Sequence, residues 1–152
     1  MDRTDRELVK YLQENARYSL KQLSEKVHLS SPAVAARIEK LQREAIITGF
    51  HADINLDKIG CNILSFINVE MYSPKEKPAI IQLIEGEQCV LECHVVSGSY
   101  TLLLKAAFQS TPDLERFISK LQRYGSTETH VVLSTPILPR AIMLQTGPEY
   151  EE

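Results

Sequence analysis

Two short amphipathic runs meet at His28-Leu29-Ser30-Ser31-Pro32, a stretch through which one continuous helix cannot pass. Proline has no N–H to give and restricts the residue before it, so Pro32 suits the first turn of a new helix. Ser30 or Ser31 can cap that helix by accepting from its free N–H groups. Upstream, Leu20, Leu23 and Val27 are spaced by three and four, which makes one helical face over Leu20 to Val27, with Ser19 as its cap. Downstream, Val34, Ile38, Leu41 and Ala45 form a matching face. His28 falls in the turn, where the chain often needs positive φ; histidine tolerates that region better than most residues.

An earlier run, Arg6 to Asn15, carries Leu8, Val9 and Leu12 at helical spacing, and Thr4 with Glu7 reads as its capping box. Three helices in the first fifty residues, the last two joined by a tight turn, predict a helix-turn-helix. Its third helix turns Ser31, Ala33, Ala36, Arg37 and Lys40 outward. Small residues let the backbone approach DNA, and cations further along reach phosphates or base edges. The candidate DNA contacts are Ser30, Ser31, Pro32, Ala33, Ala36, Arg37, Lys40 and Arg43. Arg37 has an alternative role, packing along the core and pairing with Glu44 or Glu7. Charge follows the motif: residues 1–50 hold nine Lys/Arg against seven Asp/Glu, whereas residues 51–152 hold eight against thirteen.

The remainder changes period. Residues 51–60 read as an extended linker with some strand character, ending at Gly60. Asn62 to Tyr72 then predicts a strand, Pro74 to Glu85 a helix, and Cys89 to Ser97 a strand. A tight turn at Gly98-Ser99 leads to a hairpin partner, Tyr100 to Phe108. Pro112 to Arg123 predicts a helix capped by Thr111, and Thr127 to Thr135 a last strand. The order β-α-β-β-α-β is the ferredoxin-like plan, with helices on one face of the sheet and the other face solvated or paired with a second subunit. The fold class is α+β: a three-helix, winged helix-turn-helix domain over 1–50, the linker, and a βαββαβ domain over 61–146. Ile137 to Leu144 adds an edge strand or arm, and 147–152 is an acidic tail.

Other chemistries find little support. Cys89 and Cys93 on one strand face lie about 13 Å apart at ~3.3 Å per residue, too far for one tetrahedral zinc with ligands at ~2.3 Å. Three cysteines at uneven spacing make a poor disulfide framework and suit a reducing compartment. No catalytic triad, phosphate-cradling loop or paired-carboxylate motif stands out, so no catalytic residue, metal or cofactor is expected. No apolar run approaches the ~18 residues of a membrane span, and the charged N-terminus lacks a signal segment, which points to the cytoplasm.

Four stretches in this order, "MDRTDREL" running on to Arg17, "LSEKVHLSSPAVAARIEKLQREAIITGF", "CHVVSGSYTLLLK" and "TETHVVL", resemble the Lrp/AsnC, or feast/famine, family of transcription regulators over essentially the whole chain. The resemblance implies a DNA-binding, nucleoid-associated regulator whose C-terminal domain dimerises through its sheet, with dimers often forming octamers. It also implies a small amino-acid effector near the β2–β3 hairpin, at Ser97, Gly98, Ser99, Tyr100 and Thr101, with Thr127 and Thr129 as further candidates. The hairpin departs from the family's acidic Gly-Asp-Tyr-Asp-like run, having Gly98-Ser99-Tyr100-Thr101 instead. Hydroxyls cannot offset an ammonium charge. Three outcomes stay open: a different effector, weak binding, or none, the last suiting an architectural DNA-binding protein. Glu92 and Glu128 are the carboxylates that could substitute.

Overall fold

The computed structural model describes residues 1–142. The chain divides into two compact units, one of Met1–Asp53 with the described residues from Ile137 onward, the other Ile54–Pro136.

The first unit holds α1 (Arg3–Glu14), α2 (Leu20–Val27) and α3 (Ser31–Arg43). Each starts at a side-chain cap: Asp2 accepts from Asp5 N–H, Ser19 from Gln22 N–H, and Ser30 from Ala33 N–H. The first helix therefore begins earlier than Thr4 implied, because Asp2 and Asp5 form the reciprocal capping box. Leu8, Leu12, Leu23, Val27 and Val34 make the core, joined by half-buried Tyr11, Tyr18 and Ile38. Leu20 is not part of it; at the first position of α2 it is 43% exposed. His28 takes the left-handed conformation at φ 55°, as its turn position requires. Ala45 does the same at φ 54°, and Ile46 and Ile47 N–H both donate to Leu41 O. That closure ends α3 and removes Ala45 from the apolar face expected for it.

The expected wing and linker strand do not form: residues 44–62 carry no strand, only a 3-10 turn at Asp57–Ile59 closed by Gly60 at φ 85°. The described part of the C-terminal arm is also strandless. It meets α1 at Ile142, whose N–H donates to Gln13 Oε1 at 3.0 Å while Gln13 Nε2 donates to the Ile142 carbonyl at 3.4 Å. By its contacts the described part of the arm groups with the first unit. Residues 143–146 and the acidic tail at 147–152 lie outside the described residues.

The second unit contains β1 (Ile63–Met71), α4 (Lys77–Glu85), β2 (Val90–Val95), β3 (Leu102–Phe108), α5 (Thr111–Leu121) and β4 (Gly125–Val131). The strands form one antiparallel sheet in the order β2-β3-β1-β4, the ferredoxin-like arrangement. Pro74–Glu76 is a separate 3-10 turn before α4, and Ser110 rather than Thr111 caps α5. Ile67 and Val69 of β1 stand opposite Leu104 and Leu102 of β3, and all four are buried with Ile80, Ile84, Leu114, Phe117 and Leu121 of the helices. The alternate residues, Leu64, Phe66, Asn68 and Glu70 of β1 with Leu103 and Lys105 of β3, point away from the helices. Within this unit that face carries no helix or strand, leaving apolar Phe66 38% exposed.

Candidate nucleic-acid interface and ligand hairpin

At about 100° per residue, the side of α3 opposite buried Val34 belongs to Ala36 and Arg43, with Pro32 and Glu39 beside them. All four are exposed. Ser30 at the cap is exposed too, so the helix N-terminus, with its free N–H groups and positive dipole end, is open to an anion. Ala33 is half-buried at the rim of this face. Ser31 turns inward instead, and its hydroxyl donates to Ser24 Oγ of α2 at 3.4 Å.

Arg37 lies only about 60° from Val34 on the same wheel, on the flank that meets α1. Its Nη1 donates to Asp2 Oδ2 at 2.6 Å and to Asp5 Oδ1 at 2.7 Å. Asp5 is completely buried, and its other oxygen accepts from Asp2 N–H. One side chain thus caps α1 and ties it to α3. The partners expected for Arg37, Glu44 and Glu7, are not the ones it takes; Glu7 pairs with Arg3. The Asp5 N–H bond, followed by the Arg37 hydrogen bond, holds the Asp2 carboxyl below its usual range. Lys40 Nζ leans the same way, 3.9 Å from Asp5 Oδ2 and 4.0 Å from Glu44 Oε1. The outward cation is therefore Arg43, which has no ion pair among the described residues. Glu39 is the feature that sequence reading passed over: an acid on the outward face, revealed by its helical phase.

The hairpin loop is longer than the two-residue turn expected, because β2 stops at Val95 and β3 starts at Leu102. Gly98 supplies a positive φ of 110° within it. Ser97, Ser99 and Thr101 surround the glycine, and Tyr100 reaches back to the sheet, where its hydroxyl donates to the Glu128 carboxylate. That bond first, and the charges of Glu128 and Glu70, push the Tyr100 phenol up. Glu128 stands opposite Asn68 on β1, and Ser126, opposite Glu70, donates to it at 3.4 Å. So the helix-free face carries, near the hairpin, two carboxylates: Glu70 beside the Ser126 hydroxyl, and Glu128 between the Tyr100 hydroxyl and His130 Nε2, 3.6 Å away. Thr127 and Thr129 do not join them. They stand opposite Val69 and Ile67, facing the helices, and Thr127 accepts from Gln122, the residue that ends α5. Glu92 is also committed elsewhere, since Lys105 and then His94 hold its carboxyl low.

The three cysteines are free, and among the described residues no group of His, Cys, Asp and Glu is arranged to hold a metal ion. No helix there is long and apolar enough to cross a membrane.

Comparison with known proteins matches both units. The family model of the AsnC-type helix-turn-helix domain covers residues 1–42, and that of the Lrp/AsnC ligand binding domain covers residues 64–142. The HTH-type transcriptional regulator YezC of Bacillus subtilis (strain 168) is 35% identical over 135 residues, spanning 89% of this chain and 95% of the relative. The structure of E. coli AsnC aligns with TM-score 0.82 at 27% identity, covering 93% of this chain and 97% of that one. The Mycobacterium tuberculosis leucine response regulatory protein aligns with TM-score 0.81 at 25% identity, covering 93% and 99%.

Proposed function

The chain belongs to the Lrp/AsnC family of transcription regulators, and from that premise we propose that it binds operator DNA sequence-specifically as a dimer, or an assembly of dimers such as an octamer, under the control of a small amino acid. The family's named members are regulators, not enzymes. The observation that carries the reading is the outward face of α3, with Ser30, Pro32 and Ala36 small and exposed and Arg43 unpaired among the described residues. Such a surface enters a major groove from its N-terminal end. A second copy covers the helix-free sheet face, burying Phe66. Two α3 helices then read half-sites about one helical turn, ~34 Å, apart. Such a regulator works in the cytoplasm, on the nucleoid.

DNase footprinting on the DNA upstream of its own gene tests this, with paired protections one turn apart expected. Uniform protection of unrelated DNA favours the architectural alternative, which the hydroxyl-rich hairpin supports. Arg43→Ala should weaken binding and reduce the salt slope of log Kd by about one unit. Glu39→Gln should tighten binding, since it removes a carboxylate facing phosphates. Anisotropy titrations at several salt concentrations check both.

The effector reading rests on Glu128 and Glu70, which supply the negative charge that the loop lacks. An amino acid's ammonium would replace the Tyr100 hydroxyl on Glu128. Charge-assisted bonds are roughly twice as strong as neutral ones. Glu128→Gln should therefore weaken effector binding by about tenfold or more by calorimetry, a loss of ~1.4 kcal/mol or above. Unchanged affinity removes Glu128 from the site.

A further inference from the structure

The helix-free face of the second unit repeats one arrangement at both of its edges. On β2, Glu92 Oε1 accepts from Lys105 Nζ at 2.8 Å, and Glu92 Oε2 lies 3.3 Å from His94 Nε2. On β4, Glu128 Oε2 accepts from the Tyr100 hydroxyl, and Glu128 Oε1 lies 3.6 Å from His130 Nε2. Each edge strand thus presents a Glu-x-His pair here, one carboxylate oxygen held by a donor and the other beside an imidazole nitrogen. Two ligands of one tetrahedral zinc, each ~2.0–2.1 Å from the ion, sit about 3.3 Å apart. A donor on the second oxygen is the usual support of a ligating carboxylate. All four side chains are about half exposed. The two pairs lie three strand spacings apart, about 14 Å at ~4.8 Å each, so one chain brings two ligands, and not four, to either edge.

We propose that these pairs are half-sites for zinc, each completed by a second copy of this chain. The inference rests on the reading that a second copy covers this face. A two-fold axis between the faces lays edge over edge. Run along the strands, it puts β2 of one copy over β4 of the other; run across them, it puts β2 over β2 and β4 over β4. In either case a Glu and a His of one copy meet a Glu and a His of the other, giving two sites of two imidazoles and two carboxylates. Packed sheets lie ~10 Å apart, so an ion midway is ~5 Å from each backbone, within reach of both side chains. Charge argues the same way. The face bears Glu70, Glu92 and Glu128 against Lys105 alone, which is −2 per copy with neutral imidazoles. Two copies bring −4 into a covered interface, where unpaired charge is costly, and two zinc ions cancel it. Imidazole with carboxylate in a tetrahedron suits zinc, whereas magnesium and calcium take six or more ligands, mostly oxygen. Cys93 does not join, since it stands opposite Leu104 and faces the helices.

The test is a titration of the metal-free full chain with zinc chloride, followed by calorimetry and analytical ultracentrifugation. The dimer should take up two zinc ions, one per chain, and dissociate less readily with them, and excess magnesium should not compete. His94→Gln and His130→Gln should each weaken the sites it serves by about tenfold or more, the least that even supporting residues cost. The double variant should take up none. Both histidines are exposed, so circular dichroism should show the fold unchanged. Cys93→Ser should bind zinc as the wild type does, and cobalt in place of zinc should give tetrahedral visible bands without a thiolate band. A dimer that takes up no zinc, uptake that survives the double substitution, or a thiolate band overturns the zinc site and leaves the second-copy reading standing. A chain that stays monomeric with and without zinc overturns both.

Discussion

Asp5→Ala is expected to destabilise the DNA-binding unit by about 2–4 kcal/mol and abolish DNA binding, with the sheet unit still folded. Breaking a buried ion pair by removing one partner costs about 3–5 kcal/mol. Arg37 is partly exposed and keeps Asp2, which lowers that figure. Loss of the Asp2–Asp5 capping box adds about 1 kcal/mol. A unit this small has little stability in reserve. Urea unfolding followed by circular dichroism measures the loss, and Arg37→Ala, which leaves the capping box intact, should destabilise the unit by less. A double-mutant cycle then gives a large coupling between residues 5 and 37. Full stability of both variants, with weaker DNA binding in Arg37→Ala alone, would return Arg37 to the DNA surface. Acid acts in the same direction. The folded pKa of Asp2 is lowered, so its contribution is present above the unfolded value of about 4 and is lost as pH falls through the folded one.

Gly125→Ala should cost the second unit about 3 kcal/mol or more, beyond the usual range for overpacking. A Cβ on Gly125 would meet Glu70 O at 2.3 Å, its carbonyl carbon at 2.9 Å and Met71 Cα at 3.0 Å. All three are backbone atoms of the neighbouring strand, so no side chain can swing aside. The clash falls where β4 begins its pairing with β1. Glu128 rides on β4, so effector binding and subunit pairing should fall with stability, while the helical unit retains its own. Gly98→Ala is the control: its φ is positive but the space around it is open, so the cost should be about 1 kcal/mol. Thermal unfolding of the two variants separates them, and equal midpoints would refute the steric account.

Local signals in the chain were legible where a few neighbouring residues decide the outcome. The caps at Ser19 and Ser30 and the left-handed His28 are such cases. The alternation of period was enough for the β-α-β-β-α-β order. What failed depends on partners distant in sequence. Helical phase left Arg37 near the edge of the outward face, and only the packing of α1 brings Asp2 and Asp5 to it. Asp2–Asp5 and Thr4–Glu7 are both boxes in the sequence, and the structure uses the earlier one. Thr127 and Thr129 came with the hairpin from the family resemblance, and a strand's period of two does not say which set faces the helices. The pairing of Thr127 with Val69 decides that, and it puts Glu128 rather than the threonines on the helix-free face.

The central claim is regulated, sequence-specific DNA binding. Fluorescence anisotropy on the duplex from upstream of its own gene, against a scrambled duplex at one fixed salt, with and without each common amino acid, tests it directly. Tighter binding to the native duplex, shifted by an amino acid in the wild type and not in Glu128→Gln, is the predicted result. Equal affinity for both duplexes, indifferent to every amino acid, would contradict it and identify a DNA-packing protein without an effector.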